Sequence, residues 1–167
     1  DQVLDAASYR ERIIPFGNVD PRWDRNRPDT DFGPLFRWFV EQGCRGLGEV
    51  TANLPFDDPR VVNAFRQAGE HSLLVTIEST GFNPGHYGLQ DDPGSPRLER
   101  LLQACPGTVI IGHGSGFWAE MSAAVTMDEK CGDLHEGGYP KGRIEQEGSV
   151  PRLLRQYPNL YADLSAG

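Results

Sequence analysis

The chain has 167 residues, the size of a single domain, so a pair of full-size domains is excluded. Its 24 acidic against 16 basic side chains give a net charge of −8, which repels phosphate backbones and anionic lipid heads and argues against nucleic acid and membrane surfaces as partners. Apolar residues are 38% of the total beside 20 glycines and 13 prolines, a loop-rich globular composition, and runs such as Val109-Ile110-Ile111 fall far short of the roughly 18–20 residues that span a bilayer.

The cysteines at 44, 105 and 131 are odd in number and lack a C-x-x-C spacing, so neither a disulfide framework nor a structural zinc knuckle is indicated. A reducing compartment, the cytoplasm, is the inference. The chain opens at Asp1 without a targeting signature and stops directly after a strand-like run, so further sequence is expected at both ends.

In chain order, the near-continuous apolar run 12–19 predicts a first buried strand. Leu35, Phe36, Phe39 and Val40 recur at helical spacing ahead of Gly43, which predicts a helix over 32–43. Gly46 to Val50 follows as a second strand whose glycines admit a neighbouring backbone or a ligand. Asp58-Pro59 is a cap followed by proline at the first helical position, and Val61, Val62, Phe65 and Ala68 form the stripe of a helix over 59–70. A third strand is predicted over 73–77, then a long Gly/Pro/Asp-rich loop over 79–95. Ser95-Pro96 repeats the cap signal for a helix with Leu98, Leu101, Leu102 and Cys105 on its stripe, and Pro106-Gly107 stops it. Strand four is read over 108–111, a helix over 117–125, a Gly-rich excursion over 126–148, a helix over 150–157 and a fifth strand over 160–164. Alternating strands and helices at this spacing predict an α/β fold with a parallel sheet and outer helices.

In such folds ligands bind at the carboxyl ends of the strands. Each predicted strand carries a polar or ionisable residue at or near that end: Asn18 and Asp20, Glu49, Glu78, His113 and Asp163. Carboxylates and an imidazole gathered at one mouth repel unless a cation or a shared proton relieves them, which argues for a divalent metal. His113, followed by Gly-Ser-Gly, is the first choice for metal binding or proton transfer. Glu49 and Glu78 are its companions, although Arg45 or Arg60 offers Glu49 a purely structural partner. Asp163 reads either as a hydrogen-bonding strand-end residue or as a substrate contact. His86, in the long loop, and Trp118, beside the site in sequence, are the other substrate-contact candidates, against solvent exposure for the first and core packing for the second. Gly112-His-Gly-Ser-Gly116 has the wrong spacing and the wrong strand for a dinucleotide fingerprint, which leaves an open, doubly wound nucleotide binder as a remote third reading.

The segments Ile13-Ile-Pro-Phe-Gly-Asn-Val-Asp-Pro-Arg22, Gly46-Leu-Gly-Glu49, Ile110-Ile-Gly-His-Gly-Ser-Gly-Phe-Trp-Ala-Glu120 and Tyr157-Pro-Asn-Leu-Tyr-Ala-Asp-Leu-Ser165 resemble, in order and spacing, strands two to six of the amidohydrolase-related (amidohydrolase family 2) metal-dependent hydrolases. The resemblance covers nearly the whole chain and implies a partial (β/α)8 TIM-like barrel over 1–167, a small-molecule substrate and a divalent metal, zinc first. It implies hydrolysis of an amide, ester or lactone by a metal-activated water, or in some relatives a decarboxylation. His113 matches the strand-five histidine and Glu49 the acid closing strand three, while Glu78 stands where strand four usually ends in histidine. The strand-one H-x-H pair and the strand-eight aspartate have no counterpart in this sequence, so the rival expectation is a non-catalytic partial barrel that self-associates through open strand edges.

Overall fold

The computed structural model describes residues 12–82, 87–131 and 142–164. Seven strands, all paired in parallel, are flanked by helices: β1 (Phe16–Gly17), β2 (Gly46–Val50), β3 (Ala52–Pro55), β4 (Leu74–Thr80), β5 (Gly88–Gln90), β6 (Ile110–His113) and β7 (Leu160–Ala162). The main run is β1-β2-β4-β6-β7, and each of these strands lies beside the next of them along the chain. Beyond the end of β2, the chain continues after one residue into β3, which pairs with β5, and β5 pairs in turn with the last two residues of β4. No described helix is long and apolar enough to cross a membrane.

A four-residue helical turn at Trp23–Asn26 precedes the helices α1 (Gly33–Glu41), α2 (Pro59–Glu70), α3 (Pro96–Ala104), α4 (Ser115–Trp118), α5 (Met127–Cys131) and α6 (Ser149–Gln156), with a short 3-10 turn at Ala119–Met121. Helix α2 forms as its sequence predicts: Asp58 accepts a hydrogen bond from the Arg60 N–H, Pro59 occupies the first turn, and Val61, Ala64, Phe65 and Ala68 are buried. Gly69 stays inside this helix because a Cβ there would run into the Thr108 side chain and the Gly107 carbonyl. Phe36, Phe65, Leu98, Leu101 and Leu153 from the helices and Leu47, Val75, Ile77 and Ile110 from the strands join one buried cluster.

Several expected elements change shape. The first strand pairs only at Phe16 and Gly17, since Pro15 has no N–H to give the ladder, although its carbonyl accepts from Arg45 N at 3.1 Å. The predicted loop over 79–95 begins with the end of β4 and contains β5, so it is shorter than expected. Ser95 does not cap α3: it is left-handed (φ 55°) with no side-chain cap bond, and Asp91 caps instead, accepting from Arg97 N and Leu98 N at 2.9 Å each. The helix expected over 117–125 is α4 plus the 3-10 turn, which carries Glu120 into the interior. There Glu120 meets Lys130 Nζ at 2.6 Å, Ser149 Oγ at 2.8 Å and Gly94 N at 3.0 Å, so one carboxylate ties together α5, α6 and the loop before α3. Cys44 and Cys105 are buried and Cys131 is half-buried, all three as free thiols.

Candidate metal centre

Register explains how residues far apart in sequence meet. Glu78 and His113 are direct partners across β4 and β6, so their side chains leave the sheet on one face. On the other side of β6, Gly112 pairs with Ala162, and Asp163 N donates to Gly112 O at 3.2 Å, which puts Asp163 beside His113. Glu49 reaches the same row from β2, whose ladder with β4 shifts register between Leu47 and Val50. The glycines of β2 admit a backbone: a Cβ on Gly46 would press on Leu74 O, and one on Gly48 on Thr76 O. Four consecutive strands of the main run thus deliver Glu49, Glu78, His113 and Asp163 to one place at their carboxyl ends.

The imidazole is held from both sides. Its Nδ1 lies 2.9 Å from each oxygen of Asp163, and because a carboxylate only accepts, the Nδ1–H donates. Its Nε2 lies 2.9 Å from Glu49 Oε1 and 4.0 Å from Glu78 Oε2. One ligand atom each from Glu49, Glu78 and His113 falls within 4.8 Å of the others, a spacing that can hold a metal ion. Gly114, at φ 84°, completes the pocket wall: a Cβ there would collide with the Glu78 carboxylate, so only glycine leaves that carboxylate its place.

Electrostatics follow from burial and like charge. Burial raises the Glu78 carboxyl most, the charge of Glu49 adds to this, His113 opposes it and Asp163 adds a little, for a value of about 7. Burial pulls the His113 ring down, but the hydrogen bond and charge of Asp163, then the charges of Glu49 and Glu78, outweigh it and leave the ring raised. Both shifts favour holding protons at the cluster, which relieves the mutual repulsion of the acids.

Trp118 packs edge-on against Phe117 and lines a cavity of about 340 Å3 with Met121, Val125 and Ile144, and none of the four strand-end residues lines it. His86 lies outside the described residues. Asn18 gives Glu49 only a long bond to its backbone carbonyl, at 3.4 Å, and Asp20 is taken up by Arg22. Arg60 does not serve Glu49, because it bonds Asp58 and Asn26, and Arg45 is exposed just before the start of β2, at the opposite end of that strand. The partner of Glu49 is His113. The sequence offers Gly114 as one of the glycines that clear space around His113, and the structure gives it a specific neighbour that sequence reasoning did not name, the Glu78 carboxylate. No family model matches this chain, and neither a curated protein nor a solved structure matches it.

Proposed function

We propose that this chain is a divalent-metal-dependent hydrolase of the amidohydrolase type, built on part of a (β/α)8-type barrel. The observation that carries this reading is the imidazole of His113, whose Nε2 faces Glu49 and Glu78 while Asp163 fixes its Nδ1. That is the arrangement in which a histidine ligates through one nitrogen and is oriented through the other. The barrel part is supported by strand order: the main run has no reversal, whereas a doubly wound sheet reverses once and binds nucleotides at that point.

The donor set suits the ion. Two carboxylate oxygens and one neutral imidazole nitrogen would supply three protein ligands, the number that leaves a catalytic divalent site a position for water or substrate. When bound, such an ion polarises a carbonyl and lowers the pKa of a water to about 7. The protein's own part is positional. Asp163 sets the tautomer and aim of His113, Gly114 leaves room for the Glu78 carboxylate, and Glu49, the more open acid with 38% of its side chain exposed against 10% for Glu78, faces incoming molecules. The substrate of this reading is an amide, ester or lactone.

Metal analysis of the purified full chain tests the reading. A stoichiometric zinc or related ion is expected in the wild type, with marked loss in His113→Asn and Glu78→Gln while both variants keep their far-UV spectrum. A wild type that takes up no ion, or a His113→Asn protein that holds it equally well, overturns the reading. A second reading, self-association at a sheet edge, is favoured by β7, which among the described residues pairs with β6 alone and leaves Tyr161 55% exposed. Light scattering that finds a monomer across the micromolar range removes it.

A further inference from the structure

Beyond the metal centre, towards the carboxyl end of the strands, the chain places a pair of side-chain amides. The β2–β4 ladder ends at Val50 and Ile77, and β5 enters the gap above it, paired on one side with the end of β4 and on the other with β3. Register fixes which way its side chains leave the sheet. A Cβ built on Gly88 would stand 3.2 Å from Glu78 Cγ and 3.3 Å from Thr80 Cβ, so Gly88 shares the face of Glu78. Gln90 lies two residues further on and is the direct partner of Thr80, so its carboxamide rises from that same face. Strand spacing and rise put roughly 8 Å between the Glu78 and Gln90 positions, a distance that one small molecule spans.

The Gln90 amide is held in place. Gln90 O accepts from Phe56 N at 3.2 Å and Asp91 N donates to Thr80 O at 2.9 Å, which ties the backbone to both neighbours. The side-chain Nε2 donates to Asn53 Oδ1 at 3.0 Å. Asn53 is left-handed (φ 51°), in the stretch of β3 where the ladder with β5 shifts register between Ala52 and Pro55, and irregularities of this kind re-aim side chains beside functional sites. Asparagine takes that conformation more readily than most residues. Gln90 and Asn53 are both half-buried, so a molecule in the mouth can reach them. With one Nε2–H given to Asn53, the Gln90 amide keeps a second N–H and a carbonyl oxygen, a donor beside an acceptor.

We propose that Gln90 is a specificity-determining residue of this centre, positioned by Asn53, and that it reads a neutral group able to donate and accept at once, a carboxamide or a hydroxyl, at the end of the substrate remote from the reacting bond. The proposal rests on the metal-dependent reading above and adds a second contact point to it. An apolar group of the same shape in that place leaves the amide unpaired, which is why the pair discriminates.

The test uses the zinc-loaded full chain and two probes, para-acetamidobenzamide and para-isobutylbenzamide, which match in shape and differ in whether the remote end can donate and accept. Affinities come from titration calorimetry and contacts from the side-chain amide resonances of Gln90. The acetamido probe is expected to bind at least about tenfold more tightly, since a 1.4 kcal/mol preference is a factor of ten, and to shift those resonances. Gln90→Met, which keeps the length and removes both polar atoms, is expected to abolish the preference by weakening the acetamido probe alone. Asn53→Gly, which suits the left-handed backbone but removes the acceptor, should reduce the preference several-fold, while Asn53→Asp keeps the acceptor and retains it. Equal affinity of the wild type for the two probes, binding of neither, or a Gln90→Met protein in which both weaken alike, as a merely structural residue would cause, overturns the proposal. If zinc does not bind, the metal-dependent reading fails separately, and the same titrations on the metal-free protein decide the amide pair. A preference there that Gln90→Met abolishes supports it, and no preference or no binding overturns it.

Discussion

Glu78 and Glu120 are both buried, with 7% and 1% of their surface exposed, yet they live in opposite surroundings. Glu120 receives an ammonium, a hydroxyl and a backbone N–H, so its charge is matched where it lies. Glu78 faces a second carboxylate and a histidine 4.0 Å away, and burial pushes its carboxyl up to about 7. The difference shows that burial alone says little about the role of an acid. What separates these two carboxylates is that the fold completes the neutralisation of Glu120 and leaves that of Glu78 to a raised carboxyl and a neighbouring histidine.

The largest effect that would break this contrast is at the structural pair. Lys130→Met removes the ammonium and strands the Glu120 charge in the interior, for an expected loss of ~3–5 kcal/mol in urea unfolding. A loss below ~1 kcal/mol would mean that Glu120 is as poorly matched as Glu78. Next comes Gly114→Ala, which strains a left-handed backbone position and drives a methyl into the Glu78 carboxylate; it is expected to cost ~1–3 kcal/mol and to weaken metal uptake, read by unfolding and metal analysis together. Metal uptake at the wild-type level would show that the Glu78 carboxylate is not held where the site needs it.

Glu78→Gln sharpens the comparison by its sign. The folded carboxyl lies above its ordinary 4.5, so between about 4.5 and about 7 the folded state holds more proton than the unfolded one. The cost of Glu78 therefore grows as pH rises through that window and is complete above it. In metal-free protein the variant is expected to be more stable than the wild type by ~1–3 kcal/mol at pH 8 and to lose that advantage below pH 4.5. A variant that is less stable at pH 8 would place Glu78 with Glu120 as a structural acid. The smallest effect is expected at Asp163→Asn, which keeps an acceptor for the His113 Nδ1–H but not its charge: metal affinity should fall by about 10-fold to 100-fold with little change in unfolding. An unchanged affinity would show that the ring needs no help from β7.

How much of this was legible beforehand depends on the kind of signal. Helix α2 and strand β2 read cleanly because cap, proline and apolar stripe agree in the first and a short apolar run with glycines marks the second. Strands β3 and β5 are not legible because Ala52 to Pro55 and Gly88 to Gln90 are too short for a pattern to stand out, and they exist through pairing with each other and with the end of β4. Local spacing points to the nearest serine as the cap of α3, whereas the chain turns back so that Asp91 reaches the first turn of the helix, a tertiary choice that local spacing does not encode. At the site, the strand-end rule located Glu49, Glu78, His113 and Asp163 as candidates. It could not say which of them touch, and an arginine partner for Glu49 was as reasonable as the histidine that the register supplies.

Strand β7 is three residues long and, among the described residues, stands at the rim of the sheet, but the residue immediately after it, Asp163, orients the His113 ring. Fraying there, which needs the loss of only a few ladder bonds, would let the imidazole swing without disturbing the core. Anything that clasps this outer strand, whether another protein or further chain, would thereby stiffen the ring and set how tightly an ion is gripped.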